Sequence, residues 1–179
     1  MFGSEDGYLY VVNATTGDPM PGWPQPVDIK GDTPSAIESS PTLAYVNGRS
    51  KPPVILIGAG STYAADQQGG LMAFDESGQV KFRFHTNDVF NEWSGRGRPD
   101  GYDEGVFATP VVGDITGDGQ QDIVFGSWDH RLYALTPRGR LVPGCPMDTE
   151  DTIWSSAALF HVRGPHRQVD IFVGGDASG

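Results

Sequence analysis

Apolar positions along this chain gather in short β-rich runs, and four of the runs end alike, on a glycine: Phe2-Gly3-Ser4, Val54-Ile55-Leu56-Ile57-Gly58-Ala59, Asp122-Ile123-Val124-Phe125-Gly126-Ser127 and Asp170-Ile171-Phe172-Val173-Gly174-Gly175. The likeness continues downstream. Asp6-Gly7-Tyr8-Leu9-Tyr10-Val11-Val12-Asn13 matches Asp129-His130-Arg131-Leu132-Tyr133-Ala134-Leu135-Thr136, and Gly70-Leu71-Met72-Ala73-Phe74-Asp75 follows the same plan. Leu9 and Val11 stand two apart, as do Leu132 and Ala134, which places each pair on one face of a strand. Turns follow at Gly17, Gly78 and Gly139, and two of the segments share an exit, Pro21-Gly22-Trp23-Pro24 against Pro143-Gly144-Cys145-Pro146. Upstream, Ser39-Ser40-Pro41-Thr42-Leu43 aligns with Ala108-Thr109-Pro110-Val111-Val112 and with Ser155-Ser156-Ala157-Ala158-Leu159. One unit therefore holds four short strands, and turn residues every 8 to 12 or so positions exclude long helices.

The anchor glycines at 3, 58, 126 and 174 are 55, 68 and 48 residues apart, the range of a four-stranded propeller blade with inserted loops. The expected fold is all-β, a β-propeller portion of about three blades. Residues 1–34 read as the second half of a blade, 35–88 as a blade, 89–106 as a loop insertion, 107–152 as a blade with an acidic loop, and 153–179 as the first half of a blade. Rings of this kind close with about 4 to 8 blades, so three would leave two apolar faces open. The chain is accordingly expected to be part of a longer polypeptide, with self-assembly into a larger ring as the alternative. Its opening residues, Met1-Phe2-Gly3-Ser4-Glu5-Asp6, have no basic region followed by an apolar core, which suits a trimmed or excerpted chain.

Composition narrows the partners. With 12 basic and 23 acidic residues the net charge is −11, a field that repels nucleic acid and anionic lipid and attracts cations. No run approaches the roughly 18 apolar residues of a membrane span. A single cysteine, Cys145, excludes an intrachain disulfide and a cysteine-based zinc cluster. Neither a His-Glu-x-x-His nor a Gly-x-Ser-x-Gly pattern is present, so familiar zinc-protease and hydrolase signatures are missing. The histidines, His85, His130, His161 and His166, read as solvated turn or loop residues. Trp23 and Trp154 are expected to pack between blades, and Trp93 and Trp128 to be available for sugar or protein contacts. The long polar stretch from His85 to Gly105 is a candidate recognition loop, and Ser61 to Gln68 a lesser one.

The sharpest chemical signal is Asp114-Ile115-Thr116-Gly117-Asp118-Gly119-Gln120-Gln121-Asp122, between two apolar strands. Calcium takes about 6 to 8 oxygen ligands, and glycines let the loop curl so that alternate residues point inward. Asp114, Asp118 and Asp122 are the candidate carboxylate ligands, Thr116 a hydroxyl or water-mediated ligand, and Gln120 a backbone-carbonyl ligand. An EF-hand is disfavoured, because Phe125 stands where that loop needs Glu and strands flank it. The competing reading is a metal-free turn whose carboxylates bond backbone N–H groups.

The stretch Pro110 to Gly126 resembles the FG-GAP (VCBS-type, integrin-alpha-like) propeller repeat, an apolar strand, D-x-[DN]-x-D-G-x-x-D, and an apolar strand ending in Gly. That resemblance implies calcium in the loop, with Thr116 as a weaker ligand than the usual Asn or Asp. Equivalent positions near Ala44 to Arg49 and Phe160 to Pro165 lack the acids, so one metal site is expected. Gly3 to Gly17 is similar to the repeat of PQQ-type propellers, G-x-x-D-G-x-L-Y-A-L-D-x-x-T-G. The two resemblances imply a non-catalytic, calcium-stabilised scaffold, extracellular or periplasmic, presenting loops to a protein or glycan ligand and packing against the remaining blades of its parent. The alternative is the propeller portion of an enzyme, a quinoprotein dehydrogenase or a calcium-dependent polysaccharide lyase. Cys145 alone, without an adjacent second cysteine, counts against bound quinone.

Overall fold

The structure, a computed structural model, describes residues 1–60, 68–86, 104–162 and 169–175. Every regular element in them is a β-strand, and the fold is all-β. The first sheet holds β1 (Phe2–Gly3), β2 (Tyr8–Tyr10) and β3 (Gln25–Pro26). The second holds β4 (Thr42–Ala44), β5 (Val54–Ala59), β6 (Gly70–Phe74) and β7 (Val80–His85). The third holds β8 (Val111–Gly113), β9 (Asp122–Ser127), β10 (Arg131–Leu135) and β11 (Met147–Asp148), and the fourth β12 (Ala158–Phe160) and β13 (Asp170–Phe172). Within each sheet every strand pairs antiparallel with the next in sequence, the arrangement that short turns allow. Among the described residues no helix is long and apolar enough to cross a membrane.

The sheets pack face to face in chain order. Successive side chains of a strand point to opposite faces, so a strand buried on both sides must serve two neighbours in alternation. In β5 and β6, Ile55, Ile57, Ala59, Met72 and Phe74 meet Leu9, Trp23, Val27 and Ile29 of the first sheet and its exit. Leu56, Leu71 and Ala73 point the other way, onto Ile123, Phe125, Tyr133 and Leu135 of the third. Val124, Leu132 and Ala134, on the far side of the third sheet, pack with Ile153, Ala157, Leu159 and Ile171. Each fully buried Leu, Ile or Phe here contributes roughly 1.5–3 kcal/mol. The continuous apolar run of β5 is thus explained by two interfaces.

The anchor glycines have a common physical cause. An added Cβ on Gly3 would run into Ile37, one on Gly58 into Val106, and one on Gly126 into Ile153. Each of these three β-branched residues also donates its N–H to the carbonyl of the residue after the glycine: Ile37 to Ser4 (3.3 Å), Val106 to Ala59 (3.0 Å), Ile153 to Ser127 (3.2 Å). A segment leading into the next sheet therefore lies directly on the previous one, and only glycine leaves room. Lead-in segments are cross-linked too, by Ser39 Oγ donating to the Ala108 carbonyl (2.9 Å) and the Thr109 N–H to Ser156 Oγ (2.9 Å), and β4 is tied to the next of them by Thr42 Oγ1 donating to the Pro110 carbonyl (2.5 Å).

Turns carry their own hydrogen bonds. Between β6 and β7 the Asp75 carboxylate accepts from the Ser77 hydroxyl (2.7 Å) and from the N–H groups of Ser77 and Gln79 (both 3.0 Å), with Lys81 3.9 Å away. The Ser77 hydroxyl above all, then the two amides and Lys81, holds the Asp75 carboxyl below its usual range, and partial burial opposes them. A depressed carboxylate lends stability that is complete above its unfolded value and lost as pH falls through the folded one. Acidification below about pH 4 should therefore remove a share of stability, under about 1 kcal/mol at so exposed a site, that Asp75→Asn lacks at every pH. Urea midpoints of both proteins at neutral pH and near pH 3 check this; parallel pH profiles would refute it.

Candidate functional site

Strands β8 and β9 pair Gly113 with Asp122, so the residues between them form a loop closed at its base by the sheet. Gly117 (φ 78°) and Gly119 (φ 84°) take left-handed backbone that side chains disfavour, which is how the segment curls tightly enough to face its own ends. Asp114 accepts from the N–H groups of Gly117 (2.7 Å), Asp118 (3.1 Å) and Gly119 (2.9 Å). Asp122, 1% exposed, accepts through Oδ2 from Ile115 N–H (3.2 Å), Thr116 N–H (3.2 Å) and Thr116 Oγ1 (3.1 Å). Asp118 accepts from the N–H (2.8 Å) and the side-chain amide (3.1 Å) of Gln120. The loop brings Thr116 to Asp122 and Gln120 to Asp118, while Asp114 turns onto backbone amides.

Four of the five expected ligands thus lie in the hairpin loop and the fifth, Asp122, is buried at the start of β9 beneath it; their oxygens are of the kind a hard cation takes. Their arrangement is the hydrogen-bonded one. Among the described residues no three His, Cys, Asp or Glu side chains are grouped so as to hold a metal ion. Gathering Asp114, Asp118 and Asp122 on one ion would need those side chains to exchange amide donors for the cation. Such an exchange costs little at Asp114 and Asp118, whose amide partners are exposed and can be satisfied by water, and more at the buried Asp122.

Aromatic residues behave differently from their sequence reading. Trp128, expected at the surface, is buried, and Trp154, expected in a junction, is 47% exposed. Phe107, Trp128 and Trp154 form one cluster, with Trp128 edge-on to Phe107 (5.1 Å) and to Trp154 (4.6 Å) and Phe107 nearly parallel to Trp154 (5.5 Å). Trp128 follows β9 directly and is clamped by the two rings. Trp154 and Ser155 line a shallow groove of about 380 Å³ with Gly174 and Gly175. Its signal was legible as Ile153-Trp154-Ser155, the only lead-in segment with Trp after the β-branched residue. Trp23 is buried as expected, tilted on Phe74 at 5.7 Å with its N–H donated to the Glu76 carbonyl (3.2 Å).

Among the other candidates, His161 is exposed, His130 is half-buried in the β9–β10 turn with φ 62°, and His85 ends β7 instead of lying in a loop. Burial pushes the Cys145 thiol up, away from nucleophilic use. The stretches 61–67 and 87–103, which hold most of the two candidate recognition loops with Trp93, lie outside the described residues, as does His166. Comparison of the sequence with protein-family models found no match, and comparison with curated proteins found none either.

Proposed function

We propose that this chain is a non-catalytic, calcium-stabilised scaffold of propeller type, extracellular or periplasmic, that presents loops and exposed aromatic surface to a protein or glycan ligand. The reading is supported by four sheets packed in chain order, with recurrent glycine contacts at three junctions, the first strand of the second sheet tied to the next lead-in segment, and the lead-in segments of the third and fourth sheets tied to each other. The observation that carries the calcium assignment is the loop at 114–122, where three carboxylates and a threonine hydroxyl share a single curled hairpin. Asp114, Asp118 and Asp122 would hold the ion, with Thr116 and the Gln120 carbonyl completing the oxygen set. Bound calcium would supply charge neutralisation and a clamp between β8 and β9, not Lewis-acid chemistry. The exposed Trp154 beside its groove offers a flat apolar face of the sort that stacks on sugar rings or accepts a side chain.

Calcium at about a hundred times its dissociation constant should stabilise the fold by about 2.7 kcal/mol, which at this size raises the melting temperature by several degrees. Asp118→Ala should abolish that gain while leaving the metal-free melting temperature nearly unchanged, because the Asp118 carboxylate bonds only exposed Gln120 and the Asp118 N–H bond to Asp114 is kept. Thermal melts with calcium and with chelator decide the matter; a calcium-independent melting temperature in the parent chain would remove the metal from the reading and leave the amide-bonded loop.

A further inference from the structure

The first sheet carries on its outer face a feature that elsewhere in the molecule is covered. Phe2 and Tyr10 are paired across β1 and β2 and their rings stack at 5.1 Å and 6°. Phe125 and Tyr133 are paired in the same way across β9 and β10 and stack at 5.2 Å and 8°. The supports match as well. The Tyr10 hydroxyl donates to Asp6 (2.8 Å), whose N–H reaches Ser4 Oγ (3.4 Å), and the Tyr133 hydroxyl donates to Asp129, whose N–H reaches Ser127 Oγ (3.4 Å).

The surroundings differ. Phe84 of the second sheet stands edge-on to both Phe125 (6.0 Å) and Tyr133 (5.3 Å), and both are fully buried. Phe2 is 49% exposed and Tyr8, beside it, 36%. At the opposite end of the stack the outer face of the fourth sheet is open among the described residues: Phe160 is 66% and Phe172 51% exposed, while their strand neighbours Leu159 and Ile171 pack inward. Every internal junction joins two unlike faces, the later-facing side of one sheet to the earlier-facing side of the next. The first sheet exposes an earlier-facing side and the fourth a later-facing side, so the two bare faces are of the two kinds that the chain itself joins three times.

We propose that the chain associates head to tail with a second copy of itself, the Phe2, Tyr8 and Tyr10 face of one copy lying against the Phe160 and Phe172 face of the next. A contact between unlike faces is heterologous: it leaves each end free to add another copy and closes only where the rotation completes a ring. The apolar groups at its centre carry most of the affinity.

Sedimentation velocity and native mass spectrometry of the 179-residue chain, from about 1 to about 200 μM, a span that covers typical weak-to-moderate self-association constants, should show concentration-dependent species beyond the monomer. Tyr10→Lys and Phe172→Lys should each weaken self-association at least ~30-fold while keeping the parent unfolding transition at low concentration. Mixed together, the two variants should form a species of two chains and no larger, since each retains one intact face and the faces are complementary. Should Tyr10→Lys lose its fold along with the bond to Asp6, Phe2→Lys takes its place. A parent chain that stays monomeric across the range overturns the proposal, in favour of a different occupant such as a further sheet of a longer polypeptide. Persistence of dimers in Phe172→Lys alone overturns it in favour of a symmetric contact through Phe2 and Tyr10.

Discussion

Phe125→Ala is expected to lower the free energy of unfolding by about 3–5 kcal/mol, read from urea unfolding of the purified chain. The ring is fully buried, lies flat on Tyr133 and meets Phe84 edge-on within the cluster that joins the second and third sheets. Neighbours fixed in two separate sheets cannot close over the space left behind. The matched substitution Phe2→Ala removes the same ring from the same stacked arrangement, where it is half exposed. In dilute solution it should cost under about 1 kcal/mol, because little apolar area returns to water. Equal losses at the two positions would contradict the view that the covering sheet makes the difference.

The second large effect is expected at Gly58, in the middle of the stack. A Cβ there would lie 2.5 Å from the Val106 carbonyl oxygen and 2.6 Å from Val106 Cγ1. Backbone cannot rotate aside as a side chain can, and this segment is tied down by the Val106 N–H bond to Ala59. Gly58→Val should therefore cost about 3 kcal/mol or more, through overpacking together with loss of that bond. At the fourth anchor, Gly174, the nearest atom to an added Cβ is Ser155 Oγ at 3.3 Å, so Gly174→Ala should change stability by less than about 0.5 kcal/mol. Thermal and urea transitions of the two variants test the contrast, and a wild-type midpoint for Gly58→Val would mean the second and third sheets are not packed as described.

Much of the strand layout was legible because it rests on local chemistry. The alternation of Leu9 with Val11 and of Leu132 with Ala134 correctly placed each pair on one face, and the glycine-ended runs became β1, β5, β9 and β13 or the residues just after it. The alike exits at Trp23 and Cys145 turned out to share backbone hydrogen bonds, each N–H reaching a carbonyl three residues back at 3.0 Å, and each precedes a cis-proline. Which neighbour each residue of β5 serves could not be read, since Val-Ile-Leu-Ile is apolar throughout and offers no alternation. Trp128 and Trp154 were assigned in reverse because their exposure depends on Phe107, a residue distant in sequence from Trp154. The acidic loop illustrates a different limit: one curled backbone suits carboxylates turned onto amides and carboxylates turned onto a cation, so composition names the donors and leaves their direction to the surroundings.

A strand greasy on both sides has no solvent-facing half to tell it which way round to lie. Sliding β5 by one position would keep every side chain out of water, yet it would swing Gly58 toward the first sheet and thrust Ile57 into the gap that the Val106 segment fills. A missing side chain thus does what polar residues do in half-wetted sheets, fixing the pairing by making the mistaken one too large to close.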